Sequence, residues 1–397
     1  ASCLVGSEMC IRDSLRGAFA DLVFAGGGMS RNLSLFLDLL RLFAALLVFV
    51  GHAGQVYRID LPVIIGHSAK EGVAIFFVLS GFVISHVVTF KERDWRSYVR
   101  ARALRMYSVI PLAVLVLIVC YALGTYLVPQ VYVAAAPDGA KAAGLGGVPP
   151  GWFEVLRYLT FTNELWFDRA TIVTGAPFWS LAYEVAYYTL FAFLVFARGS
   201  ARIVLAMAWC AVVGPRIVVA LPLWLLGVFI HRLVLRGWRL RTAIGWPLFA
   251  GLLLASVVWK KYLGISAIPL FEWPTVDRLI PSMAYYFGLG LLLGGAIVVF
   301  ASVETTYSFF PSWFEKLVRY FAGASFTLYI MHLPVMVLIG AVWPQWVATP
   351  VGALSASLLT IAAMLFVAEL GERRKADIMK IISTISMMLS RKSVRSA

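Results

Sequence analysis

Three ionisable side chains follow one stripe of the apolar stretch LSLFLDLLRLFAALLVFVGHAG, which runs from Leu33 to Gly54. Arg41 and His52 lie eleven positions apart. At about 100° per residue of an α-helix they face the same side, about 16 Å from each other along the axis. Asp38 shares that stripe and is placed to neutralise the guanidinium. Polar groups aligned in this way along an otherwise apolar helix predict a working site on the stripe.

The stretch that carries this stripe is long enough to cross a bilayer, whose hydrocarbon core matches about 20 apolar helical residues. Ionisable groups are costly in that environment and usually mark working sites. The alternative is a simple ion pair together with a histidine that reaches the interface from the helix end. We favour the functional interpretation.

The composition is typical of a polytopic membrane protein. Hydrophobic residues make up 61% of the 397 residues, and the mean hydropathy is +0.87, values that exceed those of soluble domains. The net charge of +14 indicates basic loops beside anionic lipid and not nucleic-acid binding. The four cysteines follow no metal-ligand or disulfide pattern. We therefore predict a lipid bilayer as partner, no nucleic acid and no metal site.

The two ends of the chain differ from its apolar middle. Residues 1–28 lack the ordered regions of a signal peptide, and we interpret them as a non-native or disordered tail. Residues 29–371 form the predicted transmembrane domain. Residues 372–397 form a basic cytoplasmic tail, in which ADIMKIISTISMML fits an amphipathic helix on the membrane surface.

Ten apolar segments predict an all-α polytopic membrane protein with about ten transmembrane helices. The predicted spans are 33–54, 72–90, 106–126, 177–197, 203–213, 217–230, 243–259, 283–301, 321–341 and 351–370. Between the third and fourth spans, Leu127 to Ala176 is too long for a simple connector, which predicts a functional extracytoplasmic loop. Its aromatic residues fit either stacking on sugar rings or anchoring at the interface; they are Trp152, Phe153, Tyr158, Trp166 and Phe167.

Basic residues predict the orientation of the chain. With the N-terminus in the cytoplasm, the inside segments include KERDWRSYVRARALR, HRLVLRGWRLR and the basic tail, whereas the outside loops hold fewer basic residues. The positive-inside rule therefore predicts that both termini are cytoplasmic. This orientation places Arg41 within the cell (inner or cytoplasmic) membrane and His52 near its outer boundary.

Other polar residues within or near the spans are further candidates. Glu184 lies about two turns into the fourth span, where a carboxylate must be protonated, paired or facing a cavity. His332 lies in the middle of the ninth, three residues after Tyr329, and a role in helix packing is an equal alternative for it. Three other histidines are interpreted as interfacial or solvated; they are His67, His86 and His231.

Arg102 and Arg105 share one helix face at positions i and i+3 in the basic segment before the third span. One interpretation is positive-inside anchoring, which fits any such loop. The sharper interpretation is a bidentate phosphate clamp.

Five motifs, in order along the chain, resemble those of the membrane acyltransferase-3 family of multi-pass O-acyltransferases. They are the Arg-x10-His spacing of Arg41 and His52, GVAIFFVLSGFVIS, RALRMYSVIP, FWSLAYEVAYY and SFTLYIMHLPV. The resemblance covers roughly Leu33 to Leu370. Two departures are the leucine beside Arg41, where relatives often have glycine, and the Ala-Tyr that precedes Glu184.

The resemblance implies transfer of an acyl group, usually acetyl, from cytoplasmic acyl-CoA to a hydroxyl of an extracytoplasmic glycan or small-molecule acceptor. Acyl-CoA is then a co-substrate, and no bound cofactor is expected. Together with the placement above, the resemblance makes His52, Glu184 and His332 the catalytic candidates. It implies that His52 is a general base or a transient carrier of the acyl group, and that Glu184 orients its imidazole or the sugar acceptor. The candidates for binding acyl-CoA or acceptor are Asp38, Arg41, Arg102, Arg105, Trp179, Ser180 and Tyr329.

A transporter or flippase of a polar or glycolipid substrate is the main alternative, because such proteins also combine many spans, broken helices and buried charges. Matching half-molecule repeats, which would favour it, are not visible in the sequence. A third interpretation, a structural or signalling subunit without catalysis, predicts that the buried charges tolerate removal.

Overall fold

The structure, a computed structural model, describes residues 29–66, 68–132, 146–168, 170–263, 276–303 and 310–374. In these ranges the chain forms helices and no β-strand, which confirms the all-α polytopic fold class. Nine of the described helical segments are long and apolar enough to cross a membrane, and a further apolar helix has 13 residues. The predicted N-terminal tail and the amphipathic helix of the basic tail lie outside the described residues.

The longer helices are numbered in chain order. They are α1 (Arg31–Tyr57), α2 (Ala69–Phe90), α3 (Trp95–Tyr107), α4 (Ile110–Leu127), α5 (Trp152–Thr160), α6 (Trp179–Phe196), α7 (Ala201–Val213), α8 (Pro215–Leu235), α9 (Thr242–Leu263), α10 (Val276–Val303), α11 (Ser312–Ala322), α12 (Ser325–Val342) and α13 (Pro350–Leu370). The basic segment before the third predicted span is therefore itself helical, and α3 and α4 together make one candidate span.

Local signals set both ends of α1. The Ser30 hydroxyl accepts a hydrogen bond from the backbone N–H of Leu33 at 3.1 Å, which caps the first turn. The helix ends at Tyr57 and is capped by Arg58, whose φ of 55° turns the chain out of the helix while its N–H donates a hydrogen bond to the Gly54 carbonyl. The 27 residues between these caps keep the predicted stripe on a single continuous helix.

The fifth predicted span has nearly the bounds of α7, which stops at Gly214, where a φ of 86° ends the helix immediately before Pro215 begins α8. With 13 residues, α7 is too short to be one of the nine candidate spans. The ninth predicted span, 321–341, begins four residues before α12, because a break at Gly323 and Ala324 separates α12 from a further helix, α11, that begins before the predicted span. Because α11 has exposed Trp313 and a charged face, it lies on the surface of the helix bundle.

Helix α2 occupies the middle of the bundle, where it packs against α1 and α8, while α12 packs against α1, α4 and α13. The α2–α8 contact depends on glycine on both sides. A Cβ added at Gly81 would lie 2.0 Å from the Trp224 carbonyl oxygen, and one at Gly227 would lie 1.9 Å from that of Val78. Small residues of this kind allow membrane helices to approach closely.

We expect Gly227→Ala to lower the free energy of unfolding by about 1–3 kcal/mol, because the new methyl group forces α2 and α8 apart. The thermal unfolding midpoint of the detergent-solubilised protein measures the effect. Gly251→Ala in α9 is the matched control, since apart from the neighbouring backbone of α9 no described atom lies within 4 Å of the position of its Cβ. Equal midpoints for the two variants would contradict the proposed close packing.

Candidate functional site

His52 on α1 and His332 on α12 face each other. Nδ1 of His52 lies 2.8 Å from Nε2 of His332, and the two ring centroids are 5.0 Å apart. His332 is fully buried, whereas His52 is partly exposed. The structure therefore brings together two of the three predicted catalytic residues, although 280 positions separate them in the chain.

The hydrogen bonds of the pair assign the tautomer of each imidazole. Nδ1 of His332 lies 2.8 Å from the Leu328 carbonyl oxygen, which can only accept, so the proton of a neutral His332 sits on Nδ1. Its Nε2 then accepts the hydrogen bond from Nδ1–H of His52. Neutral His52 is left with an unprotonated Nε2, the group that a general base requires.

The residues around α12 fix the position of His332. Oε2 of Glu372 accepts hydrogen bonds from the backbone N–H and the hydroxyl of Thr327 at 2.9 and 2.8 Å, which satisfies the first turn of the helix. Five residues after Thr327, His332 is hydrogen-bonded to the Leu328 carbonyl within the same helix. The side chain that orients His52 is therefore itself held by its own helix.

A cavity lies between α1, α2, α3, α6 and α12, with an empty volume of about 690 Å³ that includes the part open to solvent. Three arginines and one carboxylate supply its charged lining. Of the predicted site residues, those that line it are Arg41, Arg102, Arg105, Ser180, Glu184 and Tyr329. The excess of positive charge suits an anionic ligand.

The three arginines differ in how far they are already neutralised. Nη2 of Arg102 lies 2.6 Å from Oε1 of Glu92, and both side chains are 13% exposed. Nη2 of Arg105 lies 3.7 Å from Oε1 of Glu184, and the Arg105 side chain is 33% exposed. Arg105 is therefore the more available of the two members of the predicted clamp.

The cavity ends close to the two histidines. Tyr329 lines it and lies one helical turn from His332 on α12. The Tyr329 hydroxyl is 2.7 Å from Oγ of Ser180 and donates a hydrogen bond to the Pro177 carbonyl at 3.3 Å. These contacts fix the end of the cavity against the start of α6. Among the described residues that line the cavity, neither His52 nor His332 is present.

A family model described as an acyltransferase domain of the acyltransferase-3 type matches residues 34–369, which is most of the chain. The chain belongs to the membrane acyltransferase-3 family. Neither a curated protein nor a solved structure matches the chain. With its many apolar helices, the protein is therefore a membrane acyltransferase.

Glu184 lies apart from the histidine pair of this acyltransferase. Its Oε1 accepts hydrogen bonds from the hydroxyls of Ser80, at 3.1 Å, and Tyr188, and faces Arg105. His332, and not Glu184, is thus the hydrogen-bonded neighbour of His52. Glu184 instead links α2, α6 and the arginines of the cavity. A role for its carboxylate toward the acceptor stays a prediction.

Asp38 and Trp179 do not line the cavity, but each contacts a residue that does. Oδ1 of Asp38 lies 3.0 Å from Nη1 of Arg41, as the i, i+3 spacing predicted. The Trp179 ring packs edge-on against the rings of Tyr183 and Phe77, with centroids 5.2 and 6.2 Å apart. Phe77 in turn lines the cavity.

Two further predictions are corrected by the structure. Tyr158 of the long loop is 1% exposed and is bonded to the Gly175 carbonyl and the Ile172 N–H, so it cannot stack on a sugar. His231 is also 1% exposed and is not solvated. It bonds Ser85 at 2.8 Å and His86 at 3.3 Å.

The predicted exposure of Tyr158 and His231 was wrong for the same reason. The sequence pattern of one helix does not reveal which of its side chains face other parts of the fold. His67, the third histidine interpreted as interfacial, lies outside the described residues. In the part of the chain that is described, no group of three or more His, Cys, Asp or Glu side chains could hold a metal ion.

Proposed function

We propose that this acyltransferase moves an acyl group, most simply acetyl, from cytoplasmic acyl-CoA to a hydroxyl of a glycan or small-molecule acceptor outside the cytoplasm. The observation that carries the proposal is an arginine-lined cavity that ends one helical turn from the His52–His332 pair. Such a cavity can take an anionic donor at one end and deliver its reactive group toward a base at the other.

The donor phosphates contact Arg41 and Arg105, because guanidinium groups bind phosphate oxygens in a bidentate manner. The pantetheine arm then follows the stripe from Arg41 to His52, a distance of about 16 Å along α1. This arrangement places the thioester beside the imidazole.

His52 acts as the general base of the transfer step. Its Nε2 takes the proton of the acceptor hydroxyl as the hydroxyl oxygen bonds to the thioester carbonyl carbon. The carbon–sulfur bond then breaks and coenzyme A leaves as the thiolate, which takes up a proton. His332 keeps the His52 proton on Nδ1 throughout.

The basic segments favour an orientation with both termini in the cytoplasm, so that the His52 end of α1 faces outward. Four aromatic side chains of the long loop remain exposed, and they are available to stack on a sugar acceptor; they are Trp152, Phe153, Trp166 and Phe167. A glycan of the cell envelope is therefore the acceptor class that we propose.

Membranes that contain the protein, incubated with labelled acetyl-CoA, test the proposal. We expect label in the glycan fraction of membranes from the parent strain, and none in that of membranes from a strain that lacks the protein. A transporter or flippase would leave the glycan unlabelled, because it makes no covalent bond. Label that is independent of the protein would overturn the proposed function.

Arg105→Ala should raise the KM for acetyl-CoA roughly tenfold, the size expected from the loss of one hydrogen bond to a charged group. The acceptor KM should stay unchanged, since the clamp contacts only the donor. Arg102→Ala should have a smaller effect on this KM, because Glu92 already neutralises Arg102. Steady-state kinetics with each substrate varied in turn measure both constants.

Arg100→Ala is the matched control for this experiment. Arg100 is exposed on the same helix, and the described lining of the cavity does not include it. We expect its acetyl-CoA KM to equal that of the parent. An Arg105→Ala enzyme with the same KM as this control would rule out the phosphate contact.

A further inference from the structure

A chain of alternating charges connects the surface helix α11 to the cavity. Glu315 accepts from Nε of Arg31 at 2.6 Å and from Nε of Arg319 at 2.9 Å. Nη1 of Arg319 lies 3.0 Å from Oδ2 of Asp38, whose Oδ1 lies 3.0 Å from Nη1 of Arg41. Arg41 at the end of the chain is the member that lines the cavity.

Asp38 forms an ion pair with each of two arginines, through Oδ1 with Arg41 and through Oδ2 with Arg319. Its side chain is 17% exposed, and those of Arg41 and Arg319 are 27% and 40% exposed. A guanidinium prefers to bind both oxygens of a carboxylate at once. Arg319 prevents that arrangement between Asp38 and Arg41, because it already holds Oδ2.

We propose that Arg319 is a positioning residue for the acyl donor, an inference that rests on the proposed function. By holding one oxygen of Asp38, Arg319 limits this carboxylate to a single contact with Arg41. The remaining N–H groups of Arg41 then stay directed into the cavity, where they bind the donor phosphates. Without Arg319, both carboxylate oxygens of Asp38 bind the Arg41 guanidinium and draw it away from the donor phosphates.

The rest of the chain of charges fixes Arg319 in turn. Nη1 of Arg319 also donates to Oγ of Ser34 at 3.3 Å. Hydrogen bonds from Arg31 and Arg319 lower the pKa of the Glu315 carboxyl below its ordinary value, so that Glu315 stays charged at neutral pH. The position of Arg319 is therefore set both by its own helix and by α1.

The first experiment compares Arg319→Gln with the parent in detergent, by the Kd for coenzyme A and by kcat at saturating acetyl-CoA. We expect the Kd to rise about threefold, as for a half-exposed ion pair, with kcat unchanged. Arg319→Lys keeps a cation beside Asp38, and we expect most of the affinity to return. Lys316→Gln, which removes an exposed charge from the same helix, should bind coenzyme A like the parent.

The second experiment repeats Arg319→Gln in an Asp38→Asn background. If Arg319 acts by restraining Asp38, its removal there causes no further loss of affinity, because the competing carboxylate is gone. The same threefold loss in both backgrounds, or a fall in kcat with unchanged Kd, would overturn the inference and leave the proposed function intact. A parent protein that does not bind coenzyme A at all would overturn both.

Discussion

His52→Ala should lower kcat for acyl transfer by about a thousandfold while the Kd for coenzyme A stays near that of the parent. Positioned general bases contribute about 10²–10⁴ to a rate, and Nε2 of His52 is the unprotonated nitrogen that the histidine pair presents. The imidazole lies beyond the described lining of the arginine cavity, so its removal spares donor binding. Transfer of labelled acetyl groups by the purified protein measures kcat.

His86→Gln is the matched control, because His86 belongs to the second histidine pair and is bonded to His231. We expect its kcat to lie within about twofold of the parent value. A His52→Ala enzyme that transfers acetyl groups at the rate of this control would exclude His52 from the chemical step.

A base and an acyl carrier differ in what remains on the protein. If His52 carries the acyl group, incubation with acetyl-CoA and no acceptor leaves an acetyl group on its imidazole. If His52 acts only as a base, the protein keeps its original mass. Mass spectrometry of the parent, with His52→Ala beside it, distinguishes the two routes.

The stripe on α1 was predictable because a helix is locally rigid. The eleven-residue spacing fixes the relative directions of Arg41 and His52 without any tertiary information, and the Asp38–Arg41 ion pair follows from a spacing of three. The partner of His52 was not predictable in this way. His332 lies 280 positions away, and its facing direction depends on how α1 and α12 pack.

The ion pairs around the cavity were likewise not predictable from spacing along the chain. The sequence places Arg102 and Arg105 on one face, yet it does not indicate that Glu92 neutralises the first and leaves the second available. Arg319 was missed for another reason. It lies just before the ninth predicted span, where the sequence indicates only a basic inside segment, and its contact with Asp38 depends on how α11 packs against α1.

His332→Leu should lower kcat by roughly a hundredfold with an unchanged Kd for coenzyme A. Leucine fills much of the imidazole volume but accepts no hydrogen bond, so Nδ1–H of His52 loses its partner. His52 can then carry its proton on Nε2, the tautomer that cannot act as the base, and its ring is free to rotate. The loss is smaller than for His52→Ala because the imidazole itself remains.

His332→Gln separates this tautomer effect from a general packing defect. Its amide oxygen can accept from Nδ1–H of His52, so we expect kcat within about tenfold of the parent. In the double variant with His52→Ala, the His332→Leu change should cost nothing further, since residues that act through one another are not additive. Two losses that multiply in the double variant would show that His332 acts independently of His52, and would exclude it as the group that orients the base.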